Sequence, residues 1–193
     1  PSGRLTGMLA PAQIDTVSPE LLRQAHNYAE ERNLPMQIHA AQSVNEHIEM
    51  VRRHGCTPIQ WMDQIGVLTD RTIIGHGIFL DHHPWLHWPT RQDMGLLAER
   101  GATVAHCPTV FMRRGIALNT LGGYLKAGVN MGIGTDTYPH NLLDEMRNAA
   151  TVARAVAGTV ADLTTADIFE AVTIGGAKAL RRDDIGRLKP GAK

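Results

Sequence analysis

The chain has 193 residues, and its 19 basic and 19 acidic side chains cancel at neutral pH. This length suffices for one domain with a sizeable core, and the balanced charge gives no electrostatic case for nucleic acid or an anionic membrane as the main partner. No apolar run approaches the roughly 18 residues of a membrane span, and Cys56 and Cys107, which lack CxxC spacing, read as reduced, buried thiols of a cytoplasmic protein.

The opening PSGRLTGML carries neither an initiator Met nor a signal-peptide pattern, and the end stops on a turn-like Pro-Gly. Both ends are therefore expected to be interruptions of a longer sequence. The first predicted strand is Arg4–Leu9, followed by a helix with Ser18 as N-cap and Pro19 at its first position. Leu21, Leu22, Ala25, Tyr28 and Ala29 give that helix an apolar face. The next strand is Met36–His39. Its helix opens on a capping box of Ser43 and Glu46 and closes at Gly55. Another helix, Pro58–Ile65, is bracketed by Thr57 and Gly66.

A third strand covers Thr72–His76. A polar and aromatic loop then leads to a helix over Arg91–Arg100, for which Thr90 is the expected cap. Thr103–His106 is the fourth strand, and a helix through Leu121–Lys126 ends at Gly128. The fifth strand is Asn130–Gly134. Asn141 is predicted to cap a long helix reaching Gly158, and Thr164 or Thr165 to cap another through Ile168–Val172. Strands alternating with helices imply a parallel sheet with right-handed crossovers. A doubly wound sheet and a barrel fit this alternation equally well.

Four of these strands run out into His39, His76, His106 and Asp136, roughly 30–37 residues apart, about one βα unit each. The carboxyl ends of parallel strands form the site face of such folds. A polar side chain there loses hydration unless it is paired or ligated. Imidazole nitrogen and carboxylate oxygen both bind Zn2+ at about 2.0–2.2 Å, so the set points to a divalent metal.

The runs Gln37-Ile-His39-Ala-Ala-Gln42, Ile74-Gly-His76-Gly77, Ala105-His106-Cys-Pro108 and Gly132-Ile-Gly-Thr-Asp136 stand in an order that resembles the amidohydrolase superfamily. The branch that they match is that of cytosine and guanine deaminases and triazine hydrolases. Leu9-Ala-Pro-Ala-Gln13 with Ser18-Pro-Glu-Leu21 is similar to the family's preceding strand, so the likeness spans nearly the whole chain.

The resemblance implies a metal-dependent (β/α)8 barrel, of which residues 1–180 would supply strands four to eight. Residues 181–193 would begin the return to a small β domain. It implies one divalent ion, Zn or Fe, with His39 and Asp136 as ligands. Asp136 would also take the proton of the attacking water, and His76 would contact that water or the substrate. The family's remaining ligands are a His-x-His pair, and no His-x-His occurs in this chain. Deaminases of this branch carry Glu where Gln42 stands, and a neutral amide cannot shuttle protons. His106 or His140 is an alternative proton carrier.

The substrate-binding candidates are Gln42, Gln13, His106, Arg113 and Trp85, with Arg114 beside Arg113. Trp85 lies in the loop Phe79–Pro89 with Asp81, His82, His83, His87 and Trp88. That loop reads as a substrate lid. A surface loop, a subunit contact, or a separate metal site at His82, His83 and His87 are its alternatives.

The expected activity is hydrolysis of a C–N or C–Cl bond in a small cyclic amidine or heteroaromatic ring. The rival is a non-catalytic α/β binding module that keeps the fold but not the metal. A partial barrel also leaves open sheet edges, so a covering chain or homo-oligomer is expected.

Overall fold

A computed structural model describes residues 5–193. Four parallel strands, β1 (Met36–Ala40), β2 (Thr72–His76), β3 (Thr103–His106) and β4 (Asn130–Ile133), form one sheet in sequential order. Sequential order without reversal is that of a barrel segment, not of a doubly wound sheet. Right-handed crossovers then put the connecting helices on one side. Every residue of β2 is buried, as expected of a strand covered on both faces.

The expected first strand is not a strand. Arg4 lies outside the described residues, and Leu9 and Gln13 make only isolated parallel bridges, to Met36 and His39. Between them Pro11 has no N–H to donate, and Ala12 adopts φ 44°. The chain still follows β1 on either side of this break: Gln37 N–H donates to Leu9 O at 2.8 Å and His39 N–H to Ala12 O at 3.0 Å.

Helix α1 (Pro19–Glu31) starts where Ser18 Oγ accepts from Leu21 N–H, and buries Leu22, His26 and Ala29. α2 (Val44–His54) has Ser43 as its cap and ends at left-handed Gly55. α3 (Pro58–Gln64) is capped by Thr57. α4 (Asp93–Glu99) begins two residues later than expected, and Thr90 does not cap it. The Thr90 hydroxyl instead donates to Asp81 Oδ2 at 2.7 Å, and the same carboxylate oxygen accepts from the Gln92 and Asp93 N–H groups at the helix start, taking the capping role.

After the short α5 (Pro108–Met112) and α6 (Leu121–Lys126), α7 (Leu142–Ala157) runs from Asn141 to left-handed Gly158, as the sequence predicts. Thr164 and Asp167 form a full capping box on α8 (Thr165–Glu170). This helix does not stop at Val172. A π-helical turn over Ala171–Gly175 carries it into α9 (Gly176–Ala179). The turn presses Gly175 onto β4, where any Cβ would lie 1.9 Å from Met131 O, and Asn130 Nδ2 donates to Gly175 O at 3.1 Å. Only glycine allows that approach.

The core lies between sheet and helices, with Met36, Ile38, Ile74, Val104 and Met131 from the strands meeting Leu22, Met50, Leu97 and Ala149 from the helices. Tyr124 is wholly buried and its hydroxyl donates to Gly77 O at 2.6 Å. Residues 181–193 are turns, closed by Asp184 pairing with Arg182 and, at 2.8 Å, with Lys193 Nζ. Cys56 and Cys107 are both free and buried. No helix among the described residues is long and apolar enough to cross a membrane.

Candidate metal centre and active site

Strand register brings the first two histidines together. His39 pairs with Gly75 and Ala40 with His76, so the His76 side chain leaves β2 one step beyond His39. The two rings stack with centroids 5.4 Å apart. Gly75 makes room for this, since a Cβ there would come within 3.0 Å of His39 Cδ2. His76 Nε2 lies 3.8 Å from Asp136 Oδ2. That separation is longer than a direct hydrogen bond.

Both His76 and Asp136 hold positive φ, 87° and 56°. A non-glycine residue in that region stores strain, and such residues cluster at functional sites. His39 Nδ1 lies 2.9 Å from Ala12 O. A carbonyl only accepts, so Nδ1 carries the proton and the Nε2 lone pair is free. This is the arrangement by which metal-binding imidazoles are commonly oriented.

The surroundings of His76 are dry on one side. Phe111 meets its ring edge-on at 4.5 Å, and Nδ1 is buried without a partner. Burial first, opposed by Asp136 and aided by His39 and Arg114, brings the His76 pKa down to about 4. His106, at the end of β3, is also buried with Nδ1 unpartnered, and burial followed by His76 lowers it to about 3. Both imidazoles are thus neutral at pH 7.

The other candidates are more scattered. Gln13 bridges to His39, and its Nε2 donates to Asp15 Oδ1 at 2.7 Å. The Gln42 N–H donates to Glu46 Oε2 at 3.2 Å. Exposed Arg113 donates to Tyr138 O at 3.1 Å, on the loop that follows Asp136. His140 Nδ1 lies 3.1 Å from Thr135 Oγ1. Trp85 is 56% exposed and packs on Phe79 and His83; among the described residues no hydrogen bond or ring contact joins it to His39, His76 or Asp136.

Asp81 and Asp93 anchor the loop carrying Trp85 from inside. Asp81 N–H donates to Asp93 Oδ2 at 2.8 Å and Asp93 N–H to Asp81 Oδ2 at 3.3 Å. Thr57 Oγ1 and Gln60 Nε2 complete the shell of Asp93. Burial, then the charge of Asp81, pushes the Asp93 carboxyl up to about 7. A metal site at His82, His83 and His87 is not formed: among the described residues no three His, Cys, Asp or Glu side chains are grouped to hold an ion, and this holds equally for His39, His76 and Asp136, which would need ligands from outside this chain. The His83 ring packs at 4.5 Å on Phe79 instead.

Sequence reasoning missed Glu46 and Phe111 as neighbours of this site. For Glu46 the signal was present but ambiguous, because Ser-x-x-Glu spells an ordinary capping box. Its carboxylate is buried, and burial pushes it up to about 8 against the N–H groups of Gln42 and Ala41, which favour the charged form.

The model of the amidohydrolase family matches residues 2–193. The chain belongs to that family. A 5-methylthioadenosine/S-adenosylhomocysteine deaminase of Natronomonas pharaonis is 34% identical over 194 residues, covering 98% of this chain and 43% of the relative. A 5'-deoxyadenosine deaminase of Methanothermobacter thermautotrophicus is 31% identical, covering 97% of this chain and 43% of that protein.

Among solved structures, a zinc-bound adenosine deaminase from Xanthomonas campestris superposes with TM-score 0.82 at 28% identity, over 94% of this chain and 40% of that one. A zinc-complexed atrazine chlorohydrolase from Arthrobacter aurescens gives TM-score 0.84 at 25% identity, over 99% and 41%. This amidohydrolase chain therefore spans about two fifths of the relatives it matches, and its sheet is part of an amidohydrolase-type barrel.

Proposed function

We propose that this chain is the C-terminal part of a metal-dependent hydrolase that releases ammonia from an electrophilic carbon of a small heteroaromatic ring. The observation that carries this reading is the meeting of His39, His76 and Asp136, two of them strained and one with a buried unpartnered nitrogen, at one end of the sheet. An imidazole with a free Nε2 and a nearby carboxylate suit a divalent ion, zinc or iron, which His39 and Asp136 would hold with further ligands outside this chain. When bound, such an ion supplies Lewis-acid polarisation and lowers the pKa of water toward about 7.

The chain's own residues have defined work in this reading. Asp136, half exposed at the strand end, takes the proton of the attacking water and passes it toward the leaving nitrogen. His76, neutral at pH 7, presents a fixed nitrogen to that water and to the charge that develops on the ring. His106 and Phe111 keep water from the back of His76. Gln42 and Gln13 offer amide groups, Arg113 a guanidinium, and Trp85 an aromatic face, for holding a flat substrate at the open side.

Gln42 favours a second reading for the leaving group. With a neutral amide where deaminases carry Glu, hydrolysis of a C–Cl bond, whose leaving chloride needs no proton, fits as well. The test is to incubate the intact gene product, zinc-loaded, with 5'-methylthioadenosine, adenosine and a chlorotriazine, and measure ammonia and chloride. Ammonia from a purine nucleoside supports the first reading, and chloride alone the second. Release of neither, with no metal retained, would leave the rival binding module.

A further inference from the structure

We infer that Glu46 is a positioning residue, whose buried carboxylate clamps the Ala41 and Gln42 peptides and thereby sets His39 and His76 relative to one another. This inference rests on the metal-site reading of those histidines.

Glu46 is 1% exposed although it sits in the first turn of α2, where a capping glutamate is normally solvated. Its cap partner would be the Ser43 N–H. The side chain reaches further back instead: Ala41 N–H donates to Oε1 at 2.5 Å and Gln42 N–H to Oε2 at 3.2 Å. A carboxyl group is thus taken from water to hold two peptide groups, a cost that an exposed cap would not incur.

The peptides it holds join the two strands. Ala41 adopts φ 53°, an unfavourable backbone for a residue with a Cβ. Its carbonyl accepts from both Ile78 and Phe79 N–H at 2.7 Å, and Ala40 O accepts from Gly77 N–H at 3.1 Å. The exit of β2 therefore grips the carbonyl side of this segment while Glu46 grips the N–H side. His39 lies just before the segment, and His76 just before Gly77. With the carboxylate gone, the N–H groups turn toward other acceptors, Ala41 relaxes from its strained φ, and the 5.4 Å stacking of His39 on His76 shifts.

The test compares Glu46→Gln with Ser43→Ala in the intact gene product. The glutamine keeps one acceptor but replaces the other with a donor. Ser43→Ala removes the cap on Glu46 N–H, loosening the same helix without touching the clamp. Glu46→Gln is expected to weaken zinc affinity about 10–100-fold, the usual effect of losing a group that orients a ligand, and to change the Co(II) absorption bands. Amide exchange at Ala41, Gln42, Ile78 and Phe79 should also accelerate roughly 10-fold, the size of one lost hydrogen bond.

Ser43→Ala should lower the melting temperature while leaving affinity, spectrum and those amides as in the wild type. The proposal is overturned if Glu46→Gln only melts earlier, or if Ser43→Ala produces the same metal and exchange changes. Should the wild type bind no metal, the functional reading fails, and the exchange arm alone decides: unchanged exchange in Glu46→Gln rejects the clamp.

Discussion

Two polar clusters lie beyond the carboxyl ends of the strands, and they are built in opposite ways. Around Asp81 and Asp93, Thr57, Gln60 and Thr90 turn their side chains inward, and no buried side-chain atom of these five lacks a partner. Around His39, His76, His106 and Asp136, two ring nitrogens are buried without a partner and two residues hold positive φ. A native interior pairs nearly all its polar groups. The five side chains of the first cluster are therefore architecture, closing the loop that carries Trp85, although His82 and Trp88 of that loop keep buried ring nitrogens without partners. The second keeps strain and unpartnered ring nitrogens, as functional sites do.

The sharpest way to break this contrast is to disable each cluster separately. Asp136→Asn should leave the fold intact while activity falls about 10²–10⁴-fold, the range for loss of a general acid or base. Steady-state ammonia release and a denaturation curve measure the two sides. Asp93→Ala should do the reverse. It leaves Thr57, Gln60 and the Asp81 N–H without their acceptor, at a cost of about 3 kcal/mol, seen as an earlier urea midpoint with metal content per folded molecule unchanged. If Asp93→Ala lost metal at full stability, the division into architecture and site would be wrong.

A smaller change sharpens the second cluster. Gly75→Ala places a methyl 3.0 Å from His39 Cδ2 and from Gln37 Nε2. The His39 ring must shift by a few tenths of an ångström, and zinc affinity should drop about 10-fold, read by chelator competition.

The pH dependence of stability comes last in size. Asp93 and Glu46 have folded-state pKa values raised to about 7 and about 8 by burial. The folded form holds their protons above the unfolded carboxylate range, so stability falls as pH rises from about 5 to 8. His83 and His106 are lowered to about 4 and about 3, again chiefly by burial. Their neutral folded forms favour the native state above pH 6.5, and this contribution is lost as pH falls from there toward 4. Urea midpoints from pH 4 to 9 should thus fall at both ends, and Asp93→Asn should flatten the alkaline side.

Much of this molecule is legible in the sequence because its strands and helices obey local rules. Ser18, Ser43, Thr57, Asn141 and Thr164 cap the helices they precede, and the strand-end residues His39, His76, His106 and Asp136 follow from strand position alone. What local pattern could not convey is competition over distance. Thr90 reads as a cap until a buried carboxylate nine residues earlier accepts the N–H groups at the helix start in its place. Glu46 reads as half of a capping box until the strand behind it presents better donors. The break at Pro11 and Ala12 was encoded in the proline, yet whether a broken strand still accompanies β1 depends on β1 itself. The π-turn at Ala171–Gly175 arises from contact with β4, which helical periodicity does not record.

The central claim is tested most directly by metal analysis of the intact gene product and its His39→Ala variant, purified without chelator. The account predicts one divalent ion per wild-type chain and a variant that folds normally but loses the ion. A wild type without metal, or a variant that keeps its full complement, would contradict it.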